Sequence, residues 1–161
     1  MNNTFNTIHI YTHNRTTPVY VFLESVIKPT SLEIYEDLDN LKNKNDLDYI
    51  GRTLIIFDEI FSENEQHYIS GFYSRNIEGI SLCYLSLYLY QISPFIRLKL
   101  QYMFFKKIPN RITNKIILSE YWLDANEEQI LAMYEYCAND NEFLLLDIEK
   151  NTYRKGFTEI L

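Results

Sequence analysis

The segment Leu54-Ile55-Ile56-Phe57-Asp58-Glu59 constrains this chain more than any other stretch. Four consecutive apolar residues without polar alternation read as a strand buried on both faces, the habit of strands inside a parallel sheet. The run ends in two carboxylates. Open α/β sheets bind ligands beyond the carboxyl ends of their strands, so Asp58 and Glu59 stand where such a sheet puts its chemistry. A strand of this kind needs helices over both faces of its sheet, so helical segments are expected to alternate with strands.

The rest of the sequence has that alternation. Residues 8–11 read as a short strand, followed by a polar turn at 14–17. Thr17 is positioned to cap a helix with Pro18 at its first position. Tyr20, Phe22, Leu23, Val26 and Ile27 supply that helix's apolar face, and Pro29 ends it. Residues 32–35 read as a second strand. A short helix fits 36–44, with Leu38 and Leu41 three apart, and a surface loop fits 43–48. After the acidic-ended strand at 53–58, Ser62 caps a helix over 63–74 with Ile69, Phe72 and Tyr73 inward. Strands follow at 80–86 and 102–105. Helical periodicity marks 111–122 and 127–137, through Ile112, Ile116 and Leu123, then Ile130, Leu131 and Tyr134. Residues 143–147 form the last strand. This order implies an α/β, three-layered arrangement around a mostly parallel sheet. At 161 residues the chain is expected to make one domain, 1–161.

Composition excludes several classes. A hydrophobic content of 47% with 16% aromatics belongs to a packed globular chain rather than a disordered one. The formal net charge of -7 predicts no strong general affinity for nucleic acid, although an acidic ring can still carry basic residues in a pore. Cys83 and Cys137 lie far apart without metal-ligand spacing, so reduced intracellular thiols are expected. No signal peptide is read at Met1-Asn2-Asn3-Thr4, and no apolar stretch reaches the roughly 18 residues of a membrane span.

Taken in order, several stretches resemble a known family. The segments LIIFDEI, FYSRNIEGI, SLCYLSL and SPFIRLKLQYMFFKK, running from Ile55 to Lys107, resemble the genome-packaging ATPases of large DNA viruses and related mobile elements. These belong to the FtsK–HerA superfamily. Ile8-His9-Ile10-Tyr11 and Leu32-Glu33-Ile34-Tyr35-Glu36 resemble the two strands that follow the family's P-loop helix. Phe143-Leu144-Leu145-Leu146-Asp147 and Tyr153-Arg154-Lys155-Gly156-Phe157 resemble its closing strand and basic-aromatic tail. The resemblance implies the RecA-like core of a P-loop NTPase, here without its first, Walker A, strand and helix. It implies Asp58 and Glu59 as a Walker B pair, Asp58 handling Mg²⁺ and Glu59 the attacking water. It also implies Mg-ATP as cofactor of the intact family, homo- or hetero-oligomers with packaging ATPase subunits, and double-stranded DNA in the complete assembly. The implied setting is a virus replication or assembly site inside the host cell, cytoplasm or nucleus, with no membrane.

Two departures qualify the resemblance. No G-x-x-x-x-G-K-[ST] occurs, and the seven residues before Ile8 are too few for a strand, loop and helix. The family's polar sensor falls at Leu87, which neither donates nor accepts a hydrogen bond. Hydrolysis and nucleotide binding by these 161 residues alone are therefore not expected, because phosphate cradling needs the glycine-rich backbone and its lysine. Loss of an internal strand is also expected to expose sheet edge and apolar face, and hence to call for a partner. Two functions follow. One is a truncated or degenerate packaging ATPase; the other is a non-catalytic protein that assembles with or regulates intact subunits.

The remaining candidates each have a plainer alternative. Arg75 matches a family arginine that reaches a neighbouring subunit's nucleotide, and equally fits a solvated helix-end arginine favoured by the dipole. Arg97 suits a structural or interface role. Gly51-Arg52-Thr53 imitates a P-loop ending but precedes a strand, so it is rejected as a phosphate site. Lys106, Lys107 and Arg111, and Arg154 with Lys155, lie beside Phe104, Phe105, Tyr153 and Phe157. Such aromatics can stack on nucleic acid, but their spacing favours core. His9 and His13 flank a strand end and do not share a helical face as a zinc pair would.

Overall fold

The computed structural model describes residues 4–28, 30–39, 41, 51–58, 61–75, 77–106, 125–139 and 142–161. The chain divides into two compact units, Met1–Arg97 and Leu98–Leu161.

The first unit is a parallel α/β sheet. Its elements are β1 (Thr7–Thr12), α1 (Pro18–Val26), β2 (Leu32–Tyr35), β3 (Thr53–Asp58), α2 (Glu63–Arg75) and β4 (Ile80–Leu85). A 3₁₀ turn (Leu89–Gln91) and the short α3 (Pro94–Arg97) follow. The strand order is β2-β1-β3-β4, with every pairing parallel. Helices cover both faces, as the apolar run in β3 requires. On one side Tyr20, Leu23 and Ile27 pack on Ile8, Ile10, Leu32, Ile34 and Ile56. On the other, Ile69 and Phe72 of α2 pack with Tyr11, Ile55, Phe57, Phe61, Ile92 and Ile96. Leu38 and Leu41 join this second core; of the helix expected over 36–44, residues 36–38 form a bend, and 40 and 42–44 lie outside the described residues, as does the loop at 43–48.

Local signals held unevenly. Ser62 and Glu65 form a reciprocal capping box: Ser62 N–H donates to Glu65 Oε2 at 2.9 Å, and Glu65 N–H donates to Ser62 Oγ at 3.4 Å. At α1, Pro18 does open the helix, but the Thr17 hydroxyl turns backward and donates to the Asn14 carbonyl at 2.8 Å. The inward stripe of α1 is also narrower than the sequence suggests. Phe22 and Val26 are 61% and 59% exposed, because a nine-residue helix on a flat sheet buries only one row of side chains.

Two glycines set the amino-terminal edge of this sheet. Gly51 and Gly79, just before β3 and β4, both have φ of 82°. A Cβ on Gly79 would stand 2.9 Å from the Gly51 carbonyl oxygen, so the close approach and the left-handed backbone both select glycine.

The second unit is antiparallel. It holds β5 (Tyr102–Phe105), α4 (Glu127–Asn139), β6 (Leu144–Asp147), β7 (Thr152–Lys155) and β8 (Glu159–Ile160), in the order β5-β6-β7-β8. The strands expected at 102–105 and 143–147 exist, but they pair antiparallel with each other instead of extending the parallel sheet. The cause is local. Residues 148–151 turn the chain back on itself, with Asn151 at φ 54° and Asp147 Oδ1 accepting the Lys150 N–H at 3.1 Å. A short turn can join only antiparallel neighbours. On one face Met103, Leu146 and Tyr153 align in register, and α4 packs against β6 with Ile130, Tyr134 and Cys137 buried. The other face carries Phe104, Leu145, Arg154 and Ile160. The helix expected over 111–122 lies outside the described residues. Among the described residues no helix is long and apolar enough to cross a membrane.

Candidate functional site

The strand order creates one privileged position. From the carboxyl end of β1 the chain runs through α1, on one face, to β2. From the adjacent β3 it runs through α2, on the other face, to β4. Adjacent strands whose connections diverge in this way form a topological switch point, where doubly wound sheets bind ligands. Thr12 and Asp58 are register partners at that point.

Asp58 is half-buried, and its Oδ2 accepts a hydrogen bond from the phenol of Tyr20. Tyr20 is 5% exposed and comes from α1, which leans over the same end of the sheet. Thr12 is buried, and its hydroxyl oxygen accepts the Asn14 N–H at 3.2 Å, tightening the turn out of β1. Cys83 of β4 lies in register with Ile56, two residues before Asp58 on the same face. Burial pushes the Cys83 thiol up, and the Asp58 charge pushes it further. This thiol is therefore held protonated, the opposite of a reactive nucleophile.

Across the sheet the surroundings are aromatic. The His13 ring lies 4.9 Å from Phe61, and Tyr84 oxygen accepts the Phe61 N–H at 3.5 Å. Burial raises the Tyr84 phenol, with the Phe61 N–H opposing and Glu65 adding. Gln66 braces this side. Its amide donates to the carbonyls of Phe61 (2.8 Å) and Gln91 (2.9 Å), and its oxygen accepts the Ser93 N–H at 2.6 Å.

The residues singled out from sequence meet different fates. Asp58 stands at the switch point, whereas Glu59 lies outside the described residues. Arg75 closes α2, at the amino-terminal end of the sheet, one helix length of about 20 Å away from Asp58. Its Nε donates to the Gly71 carbonyl at 3.1 Å and its guanidinium sits 4.3 Å over the Phe72 ring. Within one chain, Arg75 and Asp58 are not brought together. Leu87 is 81% exposed in the loop after β4. Arg97 is half-buried at the end of α3. Gly51-Arg52-Thr53 enters β3, with Arg52 N–H donating to Asn6 Oδ1 at 3.1 Å and Thr53 buried. His9 is buried beside Glu33 at 3.2 Å, while His13 is exposed. Phe105 and Tyr153 are core, at 7% and 6% exposure, whereas Phe104 and Phe157 are 55% and 69% exposed. Lys107 and Arg111 lie outside the described residues.

Tyr20 and Gln66 are the residues the sequence did not mark. In the sequence Tyr20 reads as part of the apolar face of α1, and its phenol, the one polar group on that face, is the available signal. Gln66 shares the inward stripe of α2 with Ile69, and a lone amide there indicated a buried network.

Among the described residues no group of three or more His, Cys, Asp or Glu converges as a metal site. Among the described residues, Asp58 has the Tyr20 phenol donating to it, the protonated Cys83 thiol on the same face and the buried Thr12 hydroxyl on its register partner. Comparison of the chain with family models, curated proteins and solved structures returned no match.

Proposed function

We propose that this chain is a degenerate relative of the DNA-packaging ATPases of large DNA viruses, with a RecA-like core that does not turn over ATP by itself. One observation carries the reading: a carboxylate ends an apolar strand at the switch point of a parallel sheet, and a phenol from α1 occupies it. In the intact family Asp58 and Glu59 would form the Walker B pair, and Arg75 would serve an adjacent subunit. In this chain the Tyr20–Asp58 bond ties α1 to β3 and serves the fold. The working assembly would be an oligomer with packaging ATPase subunits on double-stranded DNA, at the site of virus assembly.

The test is titration calorimetry of the 161-residue protein with Mg-ATP. No heat of binding is expected up to about millimolar nucleotide, where even a weak site of about 4 kcal/mol would register. Saturable binding lost in Asp58→Asn would overturn the degenerate reading and make the site a working one.

A second reading, a non-catalytic protein that assembles with or regulates intact ATPase subunits, is favoured by α1. Val19, Val21, Phe22 and Val26 stand 51–61% exposed on one short helix. Mixing with a complete packaging ATPase and measuring its turnover separates the two: a change that disappears with Phe22→Asp favours the regulator.

A further inference from the structure

The two edges of the parallel sheet differ in kind. β2 is four residues long, contains Glu33, and runs into Glu36, Asp37 and Asp39, all exposed. Short length and charge are how proteins blunt a sheet edge. β4 has neither protection. It spans six residues, Ile-Ser-Leu-Cys-Tyr-Leu, without a charge or a proline, and among the described residues it pairs only with β3. Parallel strands buried on both faces look like this, yet Ser81 and Leu85 are exposed and Ile80, Leu82, Cys83 and Tyr84 are only partly covered. Beyond its carboxyl end Leu87 is 81% and Tyr88 44% exposed.

We infer that β4 is a self-association edge, pairing antiparallel with β4 of a second copy of this chain. A two-fold axis between the two strands lets one uncharged segment pair its outward N–H and C=O groups with those of its copy, the isologous arrangement of most homodimers. The charge distribution permits it. An antiparallel pair brings the amino end of each strand to the carboxyl end of the other, so Glu78 of one copy approaches the Leu87 end rather than its own counterpart. The acids of the β2 edge lie three strand spacings from β4, about 14 Å, so the two acidic edges of the dimer stand about 34 Å apart. That is several Debye lengths of about 8 Å at physiological salt, so the acids of the β2 edges do not oppose pairing here. A second β4 meets this edge with a segment as uncharged as the edge itself. The inference stands without the functional reading above.

Sedimentation equilibrium on the full chain tests it. At about 100 µM, well above the micromolar range of weak specific association, the wild type is expected at twice the 19.3 kDa chain mass. Ser81→Lys and Leu85→Lys, both at exposed positions of β4, are expected to halve that mass while circular dichroism and melting of the monomer stay native-like. Glu33→Lys, on the opposite edge, is expected to leave the dimer intact. A monomeric wild type overturns the inference and leaves an extended segment of another protein as the occupant of this edge. A dimer that survives both β4 substitutions, or one lost on Glu33→Lys, overturns it too.

Discussion

The parallel sheet of the first unit and the antiparallel sheet of the second both contain apolar runs, but for different reasons. In β3 the run Leu54-Ile55-Ile56-Phe57 is apolar because helices α1 and α2 cover opposite faces. In β6 the run Leu144-Leu145-Leu146 is buried, yet among the described residues α4 is the one helix that packs on it. On the second face the described residues place aromatic rings. Leu145 lies in register between Phe104 and Arg154, and the rings of Phe104, Phe143 and Phe157 pack edge-on at 5.0–5.9 Å. A continuous apolar strand thus records that both faces are dry; it does not record what dries them. Strand direction follows from the connection, and the four-residue turn at 148–151 decides it for β6 and β7.

The sharpest way to break this comparison is Phe57→Ala. Phe57 is fully buried at the centre of the parallel sheet, and its truncation should cost about 3–5 kcal/mol in urea denaturation of the whole chain. Leu145→Ala should cost about 2–3 kcal/mol if the aromatic face truly shields it; a loss under about 1 kcal/mol would mean that face is open to water. Gln66→Leu strands two carbonyls and one N–H, so a loss of about 2–3 kcal/mol is expected from the same measurement.

The pH response comes next. Burial, then Cys83 and Tyr84, hold the Tyr73 phenol well above its usual value. The unfolded chain therefore loses this proton near pH 10 while the folded chain keeps it, and stability falls as pH rises beyond that point. The slope should reach about 1.4 kcal/mol per pH unit, and Tyr73→Phe should flatten it in denaturation curves taken between about pH 9 and 11. The smallest expected effect is Phe157→Ser. At 69% exposure its loss should stay within about 0.5 kcal/mol and leave the melting midpoint nearly unchanged.

Much of the first unit was legible because its signals are local and redundant. Ser62 and Glu65 announce a helix start, Ile69 and Phe72 announce its buried stripe, and the run before Asp58 announces a central strand. Asp58 itself could be located because carboxyl ends of parallel strands are where polar residues gather. What escaped depended on long-range partners. That Tyr20 reaches Asp58 across 38 positions, or that Gln66 ties Phe61 to Gln91 and Ser93, is set by how α1 and α2 settle on the sheet. Phe104 and Phe105 are adjacent and chemically identical, yet one is 55% and the other 7% exposed. Only the phase of the strand separates them, and phase is fixed by pairing.

Phase also governs Asp58. Side chains along β3 alternate between the α1 face and the α2 face, so a slip of a single residue against β1 and β4 would turn the Asp58 carboxylate from Tyr20 toward the aromatic side. Gly51 and Gly79 fix where β3 and β4 begin at the opposite end of the sheet, since a Cβ on Gly79 would meet the Gly51 carbonyl oxygen. The chemistry of one end is thus counted off, residue by residue, from two positions at the other end that carry no side chain at all.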